Sequence, residues 1–550
     1  MSRKKSLLRR AALVIIILTG FVAATNPTER YFEISRNLDI FATLFKEVNA
    51  IYVDEVNPNT LIKTGIDAML ESLDPYTNYI PEDAIEDFRT QSTGQYGGIG
   101  AITSRMDNIT KIVMIYKGFS ADKSGLKIGD EIIKINDIDI TKKSRQETSK
   151  LMKGQANTEV KLAIRRYGEN ELLDFKLKRE KITVSSVPYY GMLTDNVGYI
   201  KLTEFTQNAG KEVKKSVEEL KEQGALSIVL DLRGNPGGLL LEAVNIVNVF
   251  VPRGMEVVTT KGKISENNTV YKTLNTPVDD DIPLVVMVNS GSASASEIVA
   301  GTVQDYDRGI VIGQKSFGKG LVQVTRPLSY NSQLKVTTAK YYTPSGRCIQ
   351  ALDYSHRNAD GSVGKVPDSL KVAFQTKNGR TVYDGGGVDP DIKVDKRQAA
   401  PITLALYANG LIFDYATKYY YEHPEISTAR NFSLSNAEYQ AFVKWLADKD
   451  VTYNTKVEEV LTILESQAKD EKSYESIKGQ IEALRAELKK SKASDLEVFK
   501  EEIKFLLEEE IASRYYFEKG AIESSFEHDW EVLEAIKILN DRKKYLELLG

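Results

Sequence analysis

The sequence predicts a multidomain chain of mixed α/β and α+β class, and three observations carry that reading. First, apolar runs at Val197–Leu202, Leu226–Leu232 and Pro283–Val288 alternate with amphipathic segments such as Ala209–Glu222. That alternation predicts a largely parallel sheet covered by helices. Second, residues 94–181 carry short alternating apolar runs broken by glycine, the pattern of a small strand-rich unit. Third, the chain after Pro424 is nearly free of Pro and Gly, and Ile477, Ile481, Leu484 and Leu488 recur at helical spacing. A length of 550 residues exceeds what one core serves. The expected division is a leader at 1–25, a helical region at 26–92, the glycine-rich unit at 93–182, the α/β core at 183–396 and a helical region at 397–550.

Composition narrows the function classes. A net charge of −4 gives no basic footprint for nucleic acid. The single cysteine, Cys348, excludes an intrachain disulfide framework and disfavours a thiolate metal cluster. At the N-terminus, Arg3, Lys4, Lys5, Arg9 and Arg10 precede the apolar stretch Ala11–Ala24. This is the form of a secretory signal, and its length also suits an uncleaved anchor. The expectation is export to the periplasm or cell envelope, with the segment as the candidate membrane anchor.

Within 26–92, Leu38, Phe41, Leu44, Phe45 and Val48 follow helical spacing, as do Ile62, Ile66, Met69 and Leu70. Residues 93–182 hold Gly97-Gly-Ile-Gly100, the run Ile112–Ile115, the turn and strand Gly125–Ile135, a short helix at Ser144–Met152 and a strand at Val160–Arg166. In the core, Arg233-Gly-Asn-Pro-Gly-Gly238 turns a strand into an apolar helix. Asp279, Asp280, Asp281, Asp305 and Asp307 fall in turn-like stretches without a histidine, so solvated loop carboxylates are expected and no metal site.

The chemistry concentrates in Val288–Val324. The apolar strand ending at Val288 leads through a small-residue turn into Ser294-Ala-Ser-Glu297 and the helical IVAGTVQD. A serine at a helix start is exposed beside free backbone N–H groups, a setting for a nucleophile and an oxyanion. Ser292 and Ser296 compete with Ser294 on composition alone, and Ser294-x-x-Glu297 also reads as a capping box. Downstream, Gly318-Lys319-Gly320 opens a second strand on which Lys319, Leu321 and Gln323 share a face. The three histidines, His356, His423 and His528, lie outside this stretch. A lysine can act as base if burial lowers its pKa from about 10.4, and a glutamine can orient the amine without adding charge. Gly313–Gly320 also approaches a phosphate-binding P-loop, with Gly320 where the hydroxyl residue belongs.

SGSASASEIVAG followed by SFGKGLVQ resembles the catalytic core of the carboxyl-terminal processing peptidases, the tail-specific proteases. The resemblance implies a serine-lysine endopeptidase without metal or organic cofactor, in which Ser294, Lys319 and Gln323 are catalytic. It also implies that DLRGNPGG lends Gly237 or Gly238 to an oxyanion hole, with the Ala295 N–H as second donor. Residues 93–182 resemble a PDZ domain, on YGGIGA and SADKSGLKIGDEIIKIND. Gly98, Ile99 and Gly100 would then receive a chain terminus through backbone N–H groups and an added strand. LDPYTNYI resembles the family's LDPHS-type segment, with Tyr76 in place of the histidine. The resemblance spans about Phe41–Val394 and leaves the C-terminal helices outside it, as a candidate surface for an adaptor or homo-oligomer. The implied partners are proteins with accessible C-termini. The alternative from another class is a catalytically inactive PDZ scaffold.

Overall fold

The computed structural model describes residues 27–550 except Ala359. The N-terminal leader expected at 1–25 lies outside the described residues. Among the described residues no helix is long and apolar enough to cross a membrane. The chain divides into two compact units, one of residues 1–79 with 325–336 and one of 80–324 with 337–550. In the first, helices α1 (Pro27–Ile51) and α2 (Pro58–Glu71) follow the predicted periodicity. Asn57 caps α2 by accepting the Asn59 and Thr60 N–H groups, and Pro58 takes the first helical position, where its missing N–H costs nothing.

The second unit begins with α3 (Ile85–Thr93) and the antiparallel strands β1 (Gln95–Gly98), β2 (Ala101–Met106), β3 (Ile109–Ile115), β4 (Glu131–Ile135), β5 (Glu159–Arg165), β6 (Leu173–Lys178) and β7 (Glu180–Thr183). Of these, β2 to β6 form one sheet and β1 pairs β7. Ile112, Ile132, Ile135, Val160, Leu162 and Ile164 build its core. Ser144 caps the helix Arg145–Met152 with a complete capping box to Glu147. Arg166 forks onto Asp130 at 2.8 and 2.7 Å, and Arg165 reaches Glu131 at 3.3 Å.

The α/β core is a six-stranded sheet ordered β8 (Tyr189–Met192), β9 (Val197–Lys201), β10 (Ser227–Asp231), β11 (Leu284–Val288), β12 (Ile310–Gly313), β13 (Ile392–Lys393). It is parallel except for the antiparallel β8–β9 pair. Every residue of β10, β11 and β12 is buried, as expected of strands covered on both faces. Alternation sends Leu230, Val286, Val288 and Val311 into a core with helices Ala209–Glu222, Leu240–Phe250 and Ala295–Asp305. Val229, Val285, Met287, Ile310 and Ile312 face the other way and meet Val532, Ala535, Ile538 and Tyr545. The second cover is therefore the helix Trp530–Asn540 and the one after it, from the far C-terminus.

The remaining C-terminal helices form their own core around Leu406, Tyr415, Phe442, Ile503, Leu507 and Ile511. They also pack on the small sheet. Phe413 joins the core of that sheet, and Lys111 pairs with Asp414 at 2.6 Å. In the helix Lys500–Ser525, Glu509 lies half-buried. Burial first, then the neighbouring Glu510 and Asp529 carboxylates, push its carboxyl up to about 7. That exceeds the unfolded value of about 4.3, so the native state holds the proton more tightly. The stability linked to Glu509 is present in full below about pH 4 and is lost as pH rises through about 7. Glu509→Gln is expected to flatten this slope and to gain up to about 3 kcal/mol over wild type at pH 8. Urea unfolding of both proteins at pH 5 and pH 8 checks it.

Candidate active site

The structure separates the three serines of the turn by what their hydroxyls do. Ser292 is fully buried and donates to the Leu232 carbonyl at 2.8 Å while accepting the Asn289 N–H. Ser296 is fully buried and donates to the Asn235 carbonyl at 2.9 Å. Ser294 is partly exposed, and its hydroxyl makes no cap bond. Glu297 accepts the Ser294 N–H at 2.8 Å, as the expected capping box requires, and its own N–H reaches the Ser294 carbonyl at 2.9 Å. Ser294 stands at φ 56°, ψ −111°, a conformation that costs on the order of 1–3 kcal/mol and persists only when its surroundings enforce it. Glu297 holds its N–H, and the Tyr341 hydroxyl holds its carbonyl at 3.1 Å.

Glu297 is the hub of the site. It is fully buried, and its two oxygens take four donors. Oε1 accepts Ser316 Oγ at 2.5 Å and the Gly318 N–H at 2.7 Å. Oε2 accepts the Ser294 N–H at 2.8 Å and the Lys319 N–H at 2.9 Å. Ser316 Oγ accepts the Val388 N–H, so its proton is the one that faces Glu297. Burial raises the carboxyl above its ordinary range, and the donors from Ser316, Lys319, Gly318 and Ser294 oppose that rise. With both N–H groups on one oxygen, the backbones of Ser294 and Lys319 meet within the span of two hydrogen bonds. Gln323, two turns of alternation beyond Lys319 on the strand Leu321–Pro327, donates to Thr337 Oγ1 at 3.1 Å.

Of the two glycines expected at the oxyanion hole, Gly237 donates its N–H to Asn235 Oδ1 at 2.9 Å. Among the described residues the Gly238 and Ala295 N–H groups have no backbone acceptor. Gly237 also has a steric task. At φ +100°, a Cβ there would lie 2.9 Å from both the Ala295 nitrogen and Ser294 Cβ, so only glycine lets this loop approach the serine turn. Asn235, fully buried, pins the loop through Leu202, Ala293 and Ser296. Asn235 and Tyr341 were not picked out from the sequence. Asn235 lies within the RGNPGG motif, where an asparagine between a glycine and a proline is the available signal; Tyr341 offers none.

The competing readings fail on geometry. After Gly320 the chain enters a strand, where a P-loop requires a helix, and Glu297 occupies the Gly318 and Lys319 N–H groups that would meet phosphate. His423 stacks on Tyr419 and His528 tilts against Phe505 in the C-terminal helices, while His356 pairs with Asp353. The expectation of solvated carboxylates is corrected for Asp305 and Asp307. Both are buried, Asp305 paired with Arg347 at 2.7 Å and Asp307 with Arg380 at 2.6 Å. In the small sheet Gly98, Ile99 and Gly100 are all buried. The Ile99 and Gly100 carbonyls accept from Ala121 and Tyr116, whereas their N–H groups have no backbone acceptor among the described residues.

Comparison with known proteins matches residues 196–355 to the model of peptidase family S41, residues 112–166 to a PDZ domain, and residues 402–539 to a probable PDZ-protease C-terminal helical domain. The last match brings the C-terminal helices inside the resemblance that the sequence reading ended at Val394. A carboxy-terminal-processing protease of Bartonella bacilliformis is 35% identical over 342 residues, 62% of this chain and 77% of that protein. A probable CtpA-like serine protease of Staphylococcus aureus (strain N315) is 35% identical over 363 residues, 63% of this chain and 72% of that one. Among solved structures, a photosystem II D1 C-terminal processing protease aligns over 64% of this chain and 92% of its own, at 26% identity and a TM-score of 0.35. On the family models and the two relatives, the chain belongs to the S41 family of carboxy-terminal-processing serine proteases and carries a PDZ domain.

Proposed function

We propose that this endopeptidase binds the C-terminal tail of a protein substrate at Gly98–Gly100 and cleaves it at Ser294, with Lys319 as base. A tail adds as a strand beside β2, and its carboxylate meets the Ile99 and Gly100 N–H groups. Neutral Lys319 takes the Ser294 proton as Oγ attacks the scissile carbonyl, then returns it to the leaving amine. The resulting acyl-enzyme is opened by a water that gives its proton to the same amine, which passes it to Ser294 Oγ as the acyl C–O bond breaks. Gly238 and Ala295 N–H groups receive the oxyanion, each donor worth about 3 kcal/mol of barrier. Gln323 orients Lys319. Neither metal nor organic cofactor enters this scheme. The observation that carries it is the shared Glu297 oxygen, which ties the serine turn to the lysine loop. An inactive scaffold would have no need of a serine held in so strained a backbone conformation.

The same reading includes export by the N-terminal segment to the periplasm or cell envelope, with that segment as a membrane anchor. It keeps the C-terminal helices as a second contact surface for an adaptor or another copy of the chain. Tail recognition is tested with one unfolded substrate carrying a free or an amidated C-terminus. The free form is expected to be cleaved at least about tenfold more efficiently, since amidation removes one charged hydrogen-bonding partner. Equal cleavage of both forms would remove the Gly98–Gly100 loop from substrate selection.

A further inference from the structure

The C-terminal helices, expected as a surface for partners, also send two carboxylates into the peptidase core. Arg233 follows strand β10 and opens the loop that ends at Gly238. All five of its guanidinium N–H groups are used. Nε and one NH2 hydrogen go to Asp231 at 3.0 and 2.7 Å. The other NH2 hydrogen and one from NH1 go to Asp529 at 2.7 and 2.9 Å. The last goes to Glu531 Oε2 at 2.5 Å. Asp231 is fully buried, and although burial would raise its carboxyl, Arg233 and Lys201 hold it well below the usual carboxylate range.

Glu531 reaches a second loop with its other oxygen. Oε1 accepts Gln314 Nε2 at 3.4 Å and sits 3.3 Å from where a Cβ on Gly313 would be. Gly313 ends strand β12, and Gln314 begins the loop that carries Lys319. Asp529 also caps the helix Trp530–Asn540 by accepting the Glu531 and Val532 N–H groups at 3.1 Å. That helix is fixed against the sheet by Val532, Ala535 and Ile538. Two carboxylates on one rigid helix therefore grip the roots of both loops: the one leading to Gly238 and the one leading to Lys319.

We infer that Asp529 and Glu531 are positioning residues for the peptidase reaction, holding the oxyanion loop through Arg233 and the lysine loop through Gln314. This rests on the assignment of Ser294 and Lys319 above. Neither carboxylate touches a reacting group. Without them, Arg233 keeps Asp231 alone, and several donors of a largely enclosed guanidinium lose their acceptors. The guanidinium then turns toward water and takes the loop root with it.

The test uses the full chain with Asp529→Asn, Glu531→Gln, the pair, Arg233→Lys and the triple variant. Asparagine keeps the helix cap and glutamine keeps the volume, so each single variant reads the same question if the pair is insoluble. The readouts are kcat and KM on an unfolded substrate with a free tail, and direct binding of a tail peptide. The pair is expected to lose at least about tenfold in kcat, and no more than the 10²–10³-fold that follows loss of an oxyanion donor. KM and peptide affinity should stay within about twofold, the split expected when an interaction serves the transition state. Arg233→Lys should behave like the pair, because an ammonium cannot fork, and the triple variant should be no worse than Arg233→Lys alone. Wild-type kcat in a soluble pair variant, or losses that multiply in the triple, overturns the inference. Ser294→Ala runs alongside: if it still cleaves, the underlying assignment falls, whatever the other variants do.

Discussion

Ser294→Ala and Lys319→Ala are each expected to lower kcat on the order of 10⁶-fold, the scale seen when a serine peptidase loses its nucleophile or base. The two losses should not add, since a base without its nucleophile and a nucleophile without its base are equally idle. The double variant should match the singles. Binding of a tail peptide should be unchanged in all three, because Gly98–Gly100 lies in a separate sheet with its own core. Ser292→Ala and Ser296→Ala should behave differently. Their hydroxyls bind the Leu232 and Asn235 carbonyls, so their loss should appear as about 0.5–1.5 kcal/mol of stability for each hydrogen bond. Steady-state kinetics and urea unfolding of the set separate the two kinds of serine.

Glu297→Gln should also impair catalysis, although it changes one atom. The carboxylate accepts from four groups, all of them donors: three backbone N–H groups and the Ser316 hydroxyl. A glutamine offers one oxygen and turns an NH₂ against two of those donors. If the amide replaces Oε2, the Ser294 and Lys319 N–H groups lose their shared acceptor. If it replaces Oε1, the Gly318 N–H and Ser316 are repelled. Each buried donor left unpaired costs about 1–3 kcal/mol. The expected result is a kcat loss of about 10²–10³-fold, the size of a lost electrostatic contact in the site. Tail-peptide binding should be retained. Glu297→Asp should fail too, because a shorter side chain cannot span both loops. Recovery of wild-type kcat in either variant would show that Glu297 only caps its helix.

Much of this was legible in the sequence where the signal is local. Alternating apolar runs gave the parallel strands, and the capping pattern at Ser294–Glu297 gave the helix start. The three serines could not be told apart from composition, because the difference is which carbonyl each hydroxyl finds: Leu232 for Ser292 and Asn235 for Ser296. The acceptor of the Gly237 N–H was likewise hidden, since it turns on the conformation of the Asn235 side chain. Asp305 and Asp307 read as solvated because their arginines, Arg347 and Arg380, lie forty and more residues downstream. The fully buried strands β10, β11 and β12 implied a second cover without saying what it was. Val532, Ala535 and Ile538 supply it from the opposite end of the chain, a separation that no periodicity reveals.

The account depends most on Lys319 reaching Ser294 in its uncharged form. The direct measurement is the pH dependence of covalent labelling of Ser294 by a serine-directed phosphonate, in wild type and in Lys319→Ala. Labelling in wild type should rise through an apparent pKa well below about 10.4, and that titration should be absent in Lys319→Ala. Labelling that climbs only near the ordinary lysine value, or follows the same curve without Lys319, would contradict the account.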